Sequence, residues 1–126
     1  MGGPACLVID ASPEQSADLE HIRSEVVARL GSTRETYTLY GHSAGSQFVH
    51  RFMLTQRGSR AERFLAANAG WYTLPTFDLD FPYGLGRLPV TEAGLRRSLG
   101  TPLVVLLGEA DSDPKDPLLR RSPQAL

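Results

Sequence analysis

Gly41-His42-Ser43-Ala44-Gly45 has the form Gly-x-Ser-x-Gly and stands between a strand-like run and a helix-like run. A serine hydroxyl is a weak nucleophile unless the backbone lifts it into the open and a base takes its proton. A sharp strand-to-helix turn does the lifting, and small residues two before and two after the serine let that turn close. The pentapeptide therefore asks for a strand, a tight turn and a helix in that order.

Its flanks supply both. Thr36 to Tyr40 is Thr-Tyr-Thr-Leu-Tyr, rich in residues that favour strands. Behind the turn, Phe48, Val49, Phe52 and Met53 recur at helical spacing and predict a helix from about Ala44 to Arg57, closed by Gly58. Upstream, Ala5 to Ile9 reads as a short strand or irregular lead-in. Ser12-Pro13-Glu14-Gln15 reads as a helix start, with Leu19, Ile22, Val26 and Leu30 as one apolar stripe and Gly31 as its stop. Downstream, Phe64 to Ala69 suits a buried strand. Gly70 to Pro89 mixes Trp71, Tyr72, Phe77, Phe81 and Tyr83 with prolines and glycines and predicts a long ordered loop. That loop either lines a substrate pocket or forms core.

Thr91 to Leu99 reads as a short capped helix ended by Gly100. Leu103 to Leu107 is the clearest strand. It lacks polar alternation, as expected where both faces of a parallel sheet are covered. Asp111 to Pro123 reads as loop. Alternating strands and helices predict an α/β fold, a mainly parallel sheet of three to four strands with helices on both faces. Reactive groups in such sheets gather beyond the carboxyl ends of the strands. Ser43 and Asp111 each fall just past such an end, so both are expected on one rim.

The chain has 126 residues, enough for a single domain, with a net charge of −1. That charge gives no electrostatic case for nucleic acid or an anionic membrane surface. One cysteine, Cys6, allows no internal disulfide, and its apolar setting suits a buried thiol. No apolar stretch approaches the ~20 residues of a membrane span, and the start lacks the pattern of a signal peptide, so a cytoplasmic location is expected. Neither Gly-x-Gly-x-x-Gly nor the P-loop pattern occurs, which disfavours a nucleotide-binding domain. Arg120-Arg121 is too short for a basic patch. Asp111, Asp113 and Asp116 lack the Gly and closing Glu of a calcium loop, and no metal or cofactor is implied.

The run Tyr37-Thr-Leu-Tyr-Gly-His-Ser-Ala-Gly-Ser46 resembles the α/β-hydrolase superfamily. Leu103-Val-Val-Leu-Leu-Gly-Glu-Ala-Asp111 looks like the strand and turn that deliver the family's acid. Ala66-Ala-Asn-Ala-Gly-Trp-Tyr72 looks like the strand between them. The resemblance covers about residues 36–114 of a single partial domain, 1–126. It implies Ser43 as nucleophile, Asp111 as acid with Asp113 as fallback, and the N–H of Ala44 as one oxyanion-hole donor. It also implies a small-molecule ester substrate and an esterase- or lipase-like reaction through an acyl-enzyme.

The family order is Ser, acid, His, and no histidine follows Asp111. His42 adjoins the serine and is expected to pack under the turn. His50 lies about two helical turns away, and His21 belongs on the surface of the first helix. Gly2-Gly3 is a weak match to the family's other oxyanion loop. The chain is thus expected to be an internal piece of the fold, with exposed sheet edges that promote self-association. The alternative to an esterase is a catalytically incomplete remnant or a non-catalytic binding module.

Overall fold

A computed structural model describes residues 16–56, 58–117 and 122–123. The lead-in at Ala5 to Ile9, the Ser12 cap, Cys6 and Gly2-Gly3 lie outside the described residues. The elements are α1 (Ser16–Leu30), β1 (Tyr37–His42), α2 (Ala44–Thr55), β2 (Ala61–Ala67), α3 (Glu92–Leu99) and β3 (Leu103–Leu106). The strands form one sheet in the order β1-β2-β3, both pairings parallel. A three-stranded parallel sheet with helices packed against it is the α/β architecture that the sequence predicts.

Two right-handed crossovers that step in the same direction leave their helices on the same side of a sheet. Accordingly α2, which packs on β1 and β2, also packs against α3. The core lies beneath α2. Phe48, Val49, Phe52, Met53 and Leu54 are buried against Leu39, Phe64, Leu85 and Leu95. The Phe52 ring stands 5.8 Å from Phe48 and 6.2 Å from Phe64, within the range of favourable aromatic pairs.

Of the apolar stripe of α1, Leu19 is fully buried while Leu30 is 65% exposed. Polar ties help hold the helix in place. The Glu20 carboxylate accepts from the Tyr37 hydroxyl at 2.6 Å and from the Arg60 N–H at 3.0 Å. Burial, reinforced by Glu20, raises the Tyr37 phenol well above its ordinary pKa. Gly31, at φ 60°, ends α1, and the Ser32 N–H reaches back to the Val27 carbonyl at 3.0 Å.

Three features differ from expectation, the first two being element boundaries. Helix α2 stops at Thr55, with Gln56 already extended, so Gly58 lies in the turn beyond it. Strand β2 begins at Ala61, which pairs with Tyr37, and Arg63 pairs with Thr38, leaving Glu62 as the unpaired extra residue where the register shifts. The third concerns burial. Val104, Val105 and Leu106 are 40 to 46% exposed and Leu107 is 73% exposed. The apolar run of β3 is not covered on both faces by the described residues, since α2 packs on β1 and β2 and no helix packs on β3 to a like extent.

The α3 helix starts as predicted, with the Thr91 hydroxyl accepting from the Gly94 N–H at 3.1 Å. Residues 70–90 form neither helix nor extended strand pairing beyond one bridge between Asp80 and Gly86.

Candidate active site

The rim at the carboxyl ends of the three strands carries the residues of interest. Strand β1 ends at His42, α2 begins at Ala44, and Ser43 alone makes the turn with φ 54° and ψ −118°. A non-glycine residue in such a region costs of order 1–3 kcal/mol and persists only where the surroundings hold it. Two kinds of contact hold it here. The Ser43 N–H donates to the Ala67 carbonyl at 2.9 Å, and the Ser43 carbonyl accepts from the Ser46 N–H at 3.0 Å. The hydroxyl makes no capping bond to the helix and the residue is exposed. The backbone satisfies the turn and leaves Oγ facing solvent.

The glycine two residues earlier has a steric cause. A Cβ on Gly41 would overlap the Gly45 carbonyl and stand 2.8 Å from Cγ2 of Val49. Helix α2 therefore lies directly on the end of β1, and only a bare backbone fits. Ala44 is the first residue of α2. The N–H groups of a helix's first turn have no intrahelical acceptor and carry the positive end of its dipole.

Asp111 follows β3 in an exposed turn closed by its own N–H to the Gly108 carbonyl at 3.1 Å. With β2 between them, the ends of β1 and β3 are separated by two strand spacings, roughly 10 Å. Ser43 and Asp111 share the rim without touching, and among the described residues no hydrogen bond is made to the Asp111 carboxylate. Asp113 is engaged in its own loop, where Oδ1 accepts from the Lys115 N–H at 2.9 Å.

Asn68, which sequence reasoning did not single out, occupies the gap. It follows β2 with φ 48°, a left-handed conformation that asparagine tolerates better than most residues. Its N–H donates to the Leu106 carbonyl at 2.8 Å. Its side-chain Oδ1 accepts from the Gly108 N–H at 2.6 Å, and its Nδ2 lies 3.4 Å from Nε2 of His42. The available signal was an asparagine directly after an apolar strand.

The histidines are placed as follows. His42 is exposed on the rim rather than packed under the turn, because alternation along β1 points it away from the α2 face that Gly41 meets. His50 is buried in α2, edge-on to Tyr72 with ring centroids 5.1 Å apart, and burial followed by the Arg51 charge lowers its pKa. His21 is exposed on α1, 3.5 Å from Glu25. None stands between Ser43 and Asp111. No group of three or more His, Cys, Asp or Glu side chains among the described residues could hold a metal ion.

The aromatic loop lies along the flank of α2. The Arg51 guanidinium stands 4.7 Å from the centre of Trp71 and 5.4 Å from that of Phe81, and its Nε donates to Thr73 Oγ1 at 3.1 Å. Trp71 and Tyr83 are 5.3 Å apart, and Thr73 and Leu85 are fully buried. The inner side of the loop is thus core, while Leu74 and Phe77 remain exposed. A shallow depression lined by Gln56, Ala61, Arg97 and Thr101 opens at the other end of the sheet and has no part in this rim.

Two solved structures resemble this chain over most of its length. A poly(aspartic acid) hydrolase from Sphingomonas sp. KT-1 is 46% identical with a TM-score of 0.85, over 88% of this chain and 42% of that one. LpqC, a poly(3-hydroxybutyrate) depolymerase from Bordetella parapertussis, is 40% identical with a TM-score of 0.78, over 87% of this chain and 37% of that one. The chain thus spans about two fifths of the length of each. The likeness supports the α/β-hydrolase superfamily and a partial fold of that kind. No family model and no curated protein matches. Among the described residues, no helix is long and apolar enough to cross a membrane.

Proposed function

We infer that this chain carries the nucleophile and acid positions of a serine hydrolase acting on carboxylic esters. The observation that carries the reading is Ser43: an exposed serine in a strained strand-to-helix turn whose backbone is satisfied without its hydroxyl. The names of the two similar proteins point the same way. A polyester and a poly(amino acid) are both joined by acyl bonds of the kind a serine can open.

In this reading Oγ of Ser43 attacks the ester carbonyl as its proton passes to an imidazole. The tetrahedral oxyanion is met by the N–H of Ala44, and such a donor is worth ~3 kcal/mol. The alcohol leaves with the proton, and water then releases the acid from the acyl-enzyme. Asp111 orients the imidazole and stabilises its charged form. His42, His50 and His21 are engaged with Asn68, Tyr72 and Glu25 respectively, and none bonds Ser43 or Asp111 among the described residues, so the base of this reading is not identified among them.

The missing base favours a second reading for the chain on its own, a catalytically incomplete module. The two are separated by measuring label and turnover together. A fluorophosphonate probe should label the chain slowly and Ser43→Ala not at all, with little or no hydrolysis of a short p-nitrophenyl ester. Labelling that survives Ser43→Ala would overturn the nucleophile assignment. Robust turnover abolished by Ser43→Ala would overturn the incomplete-module reading.

A further inference from the structure

Asn68 is the one side chain among the described residues that bonds to both outer strands' ends. It sits at the carboxyl end of the central strand, so one amide group reaches β1 on one side and the turn after β3 on the other. Its Oδ1 accepts the Gly108 N–H at 2.6 Å, and its Nδ2 faces Nε2 of His42, the residue before the serine, at 3.4 Å. The backbone fixes the amide's direction. The Asn68 N–H is bonded to Leu106, and the φ of 48° turns the chain out of the strand path at that point.

Gly108 lies close to both side chains, tightly to Asp111 and at ordinary van der Waals distance from the Asn68 amide. A Cβ there would lie 3.3 Å from the Asp111 Cβ, 3.5 Å from Asn68 Oδ1 and 3.6 Å from Asn68 Nδ2. The glycine, the asparagine amide and the aspartate are therefore packed into one corner. The Asp111 N–H to Gly108 carbonyl bond closes that corner from the other side. Without the Asn68 amide, the turn bearing Asp111 keeps only this local bond, since its residues are exposed and α-helical support is absent.

We propose that Asn68 is a positioning residue that sets the distance between the acid turn Gly108–Asp111 and the serine turn. This rests on the reading of Ser43 and Asp111 as nucleophile and acid. An acceptor at Oδ1 holds the acid turn, and a donor at Nδ2 holds His42 with its lone pair on Nε2 and its proton on Nδ1. Aspartate supplies only the first of these functions and glycine supplies neither, although glycine accepts the left-handed backbone without strain.

The test follows amide hydrogen exchange, read by mass spectrometry with residue-level fragmentation, in the full chain and in Asn68→Gly and Asn68→Asp. Ring nitrogen shifts of 15N-labelled histidine are read alongside at about pH 8. In Asn68→Gly, exchange at Gly108 should rise about tenfold, the scale of one lost hydrogen bond, while Leu39 and Val49 keep their rates. Asn68→Asp should restore slow exchange at Gly108 yet shift the His42 nitrogens away from the wild-type pattern.

Unchanged exchange at Gly108 in Asn68→Gly would overturn the proposal. So would an equal rise throughout the sheet, which marks a purely structural role, or a failure of Asn68→Asp to restore protection. Identical His42 nitrogen shifts in all three proteins would overturn the bridge to the serine turn. None of these readouts depends on Ser43 reacting. Failure of the nucleophile reading would show instead in the fluorophosphonate labelling of the wild-type chain.

Discussion

Gly41 and Val49 meet so closely that a single methyl group on Gly41 would lie 2.8 Å from the valine's Cγ2 and inside the Gly45 carbonyl. The contact joins the last turn of β1 to the first two turns of α2, and it brings the helix N-terminus to the serine. Gly41→Ala should therefore force the helix away from the strand. Overpacking costs typically ~1–3 kcal/mol, and a clash with rigid backbone falls towards the upper end of that range, a large share of a small domain's stability. The expected result is a fall in the denaturant midpoint and a loss of Ser43 labelling. A midpoint equal to that of the wild type would show that the helix yields without cost.

Ser46 is on the same helix, entirely buried, and its hydroxyl has no hydrogen-bond partner among the described residues. A buried unpaired hydroxyl costs about 1–3 kcal/mol, and alanine is the better helix former. Ser46→Ala should raise the melting temperature by several degrees, on the basis of roughly 1 kcal/mol recovered. A fall in Tm would mean that the hydroxyl is satisfied in solution.

His50 gives the fold a pH dependence whose sign follows from its burial. Its pKa is lowered from 6.5, first by desolvation and then by Arg51. As pH falls through 6.5 the unfolded chain takes up a proton that the folded chain refuses. The stabilisation is complete above that pH and is lost progressively down to the lowered folded value. Tm should drop between about pH 7.5 and about pH 5.5, and by less in His50→Gln, which carries no titrating group. Equal slopes for the two proteins would assign the dependence elsewhere.

The parts of this molecule that follow from local rules were legible in the sequence. Periodicity located α2, the Thr91 cap located α3, and the Gly-x-Ser-x-Gly pattern located the turn. Glu62 and Arg63 hid the start of β2, because an irregular register that pairs Ala61 and Arg63 with β1 and skips Glu62 overrides their weak strand preference. Asn68 stayed hidden because its role depends on two partners 26 and 40 residues away, a relation that spacing along the chain does not encode. The exposure of β3 was misread for a similar reason. An unbroken apolar run says that a strand wants cover on both faces, and it does not say which segment supplies it.

That uncovered strand leads to the last prediction. Register puts Tyr40, Leu65 and Val104 in one row across the sheet, with His42, Ala67 and Leu106 in the next. Tyr40, Val104 and Leu106 are each at least 40% exposed, and β3 offers a free edge among the described residues. Apolar side chains beside an unpaired strand edge favour pairing with a second copy. The chain should therefore elute as an oligomer whose size grows with concentration. Replacing Val104 and Leu106 with lysine should shift it towards monomer, because two charges on the edge strand oppose edge-to-edge pairing. Light scattering across a tenfold dilution checks this, and a monodisperse monomer with a cooperative melt at every concentration would refute it.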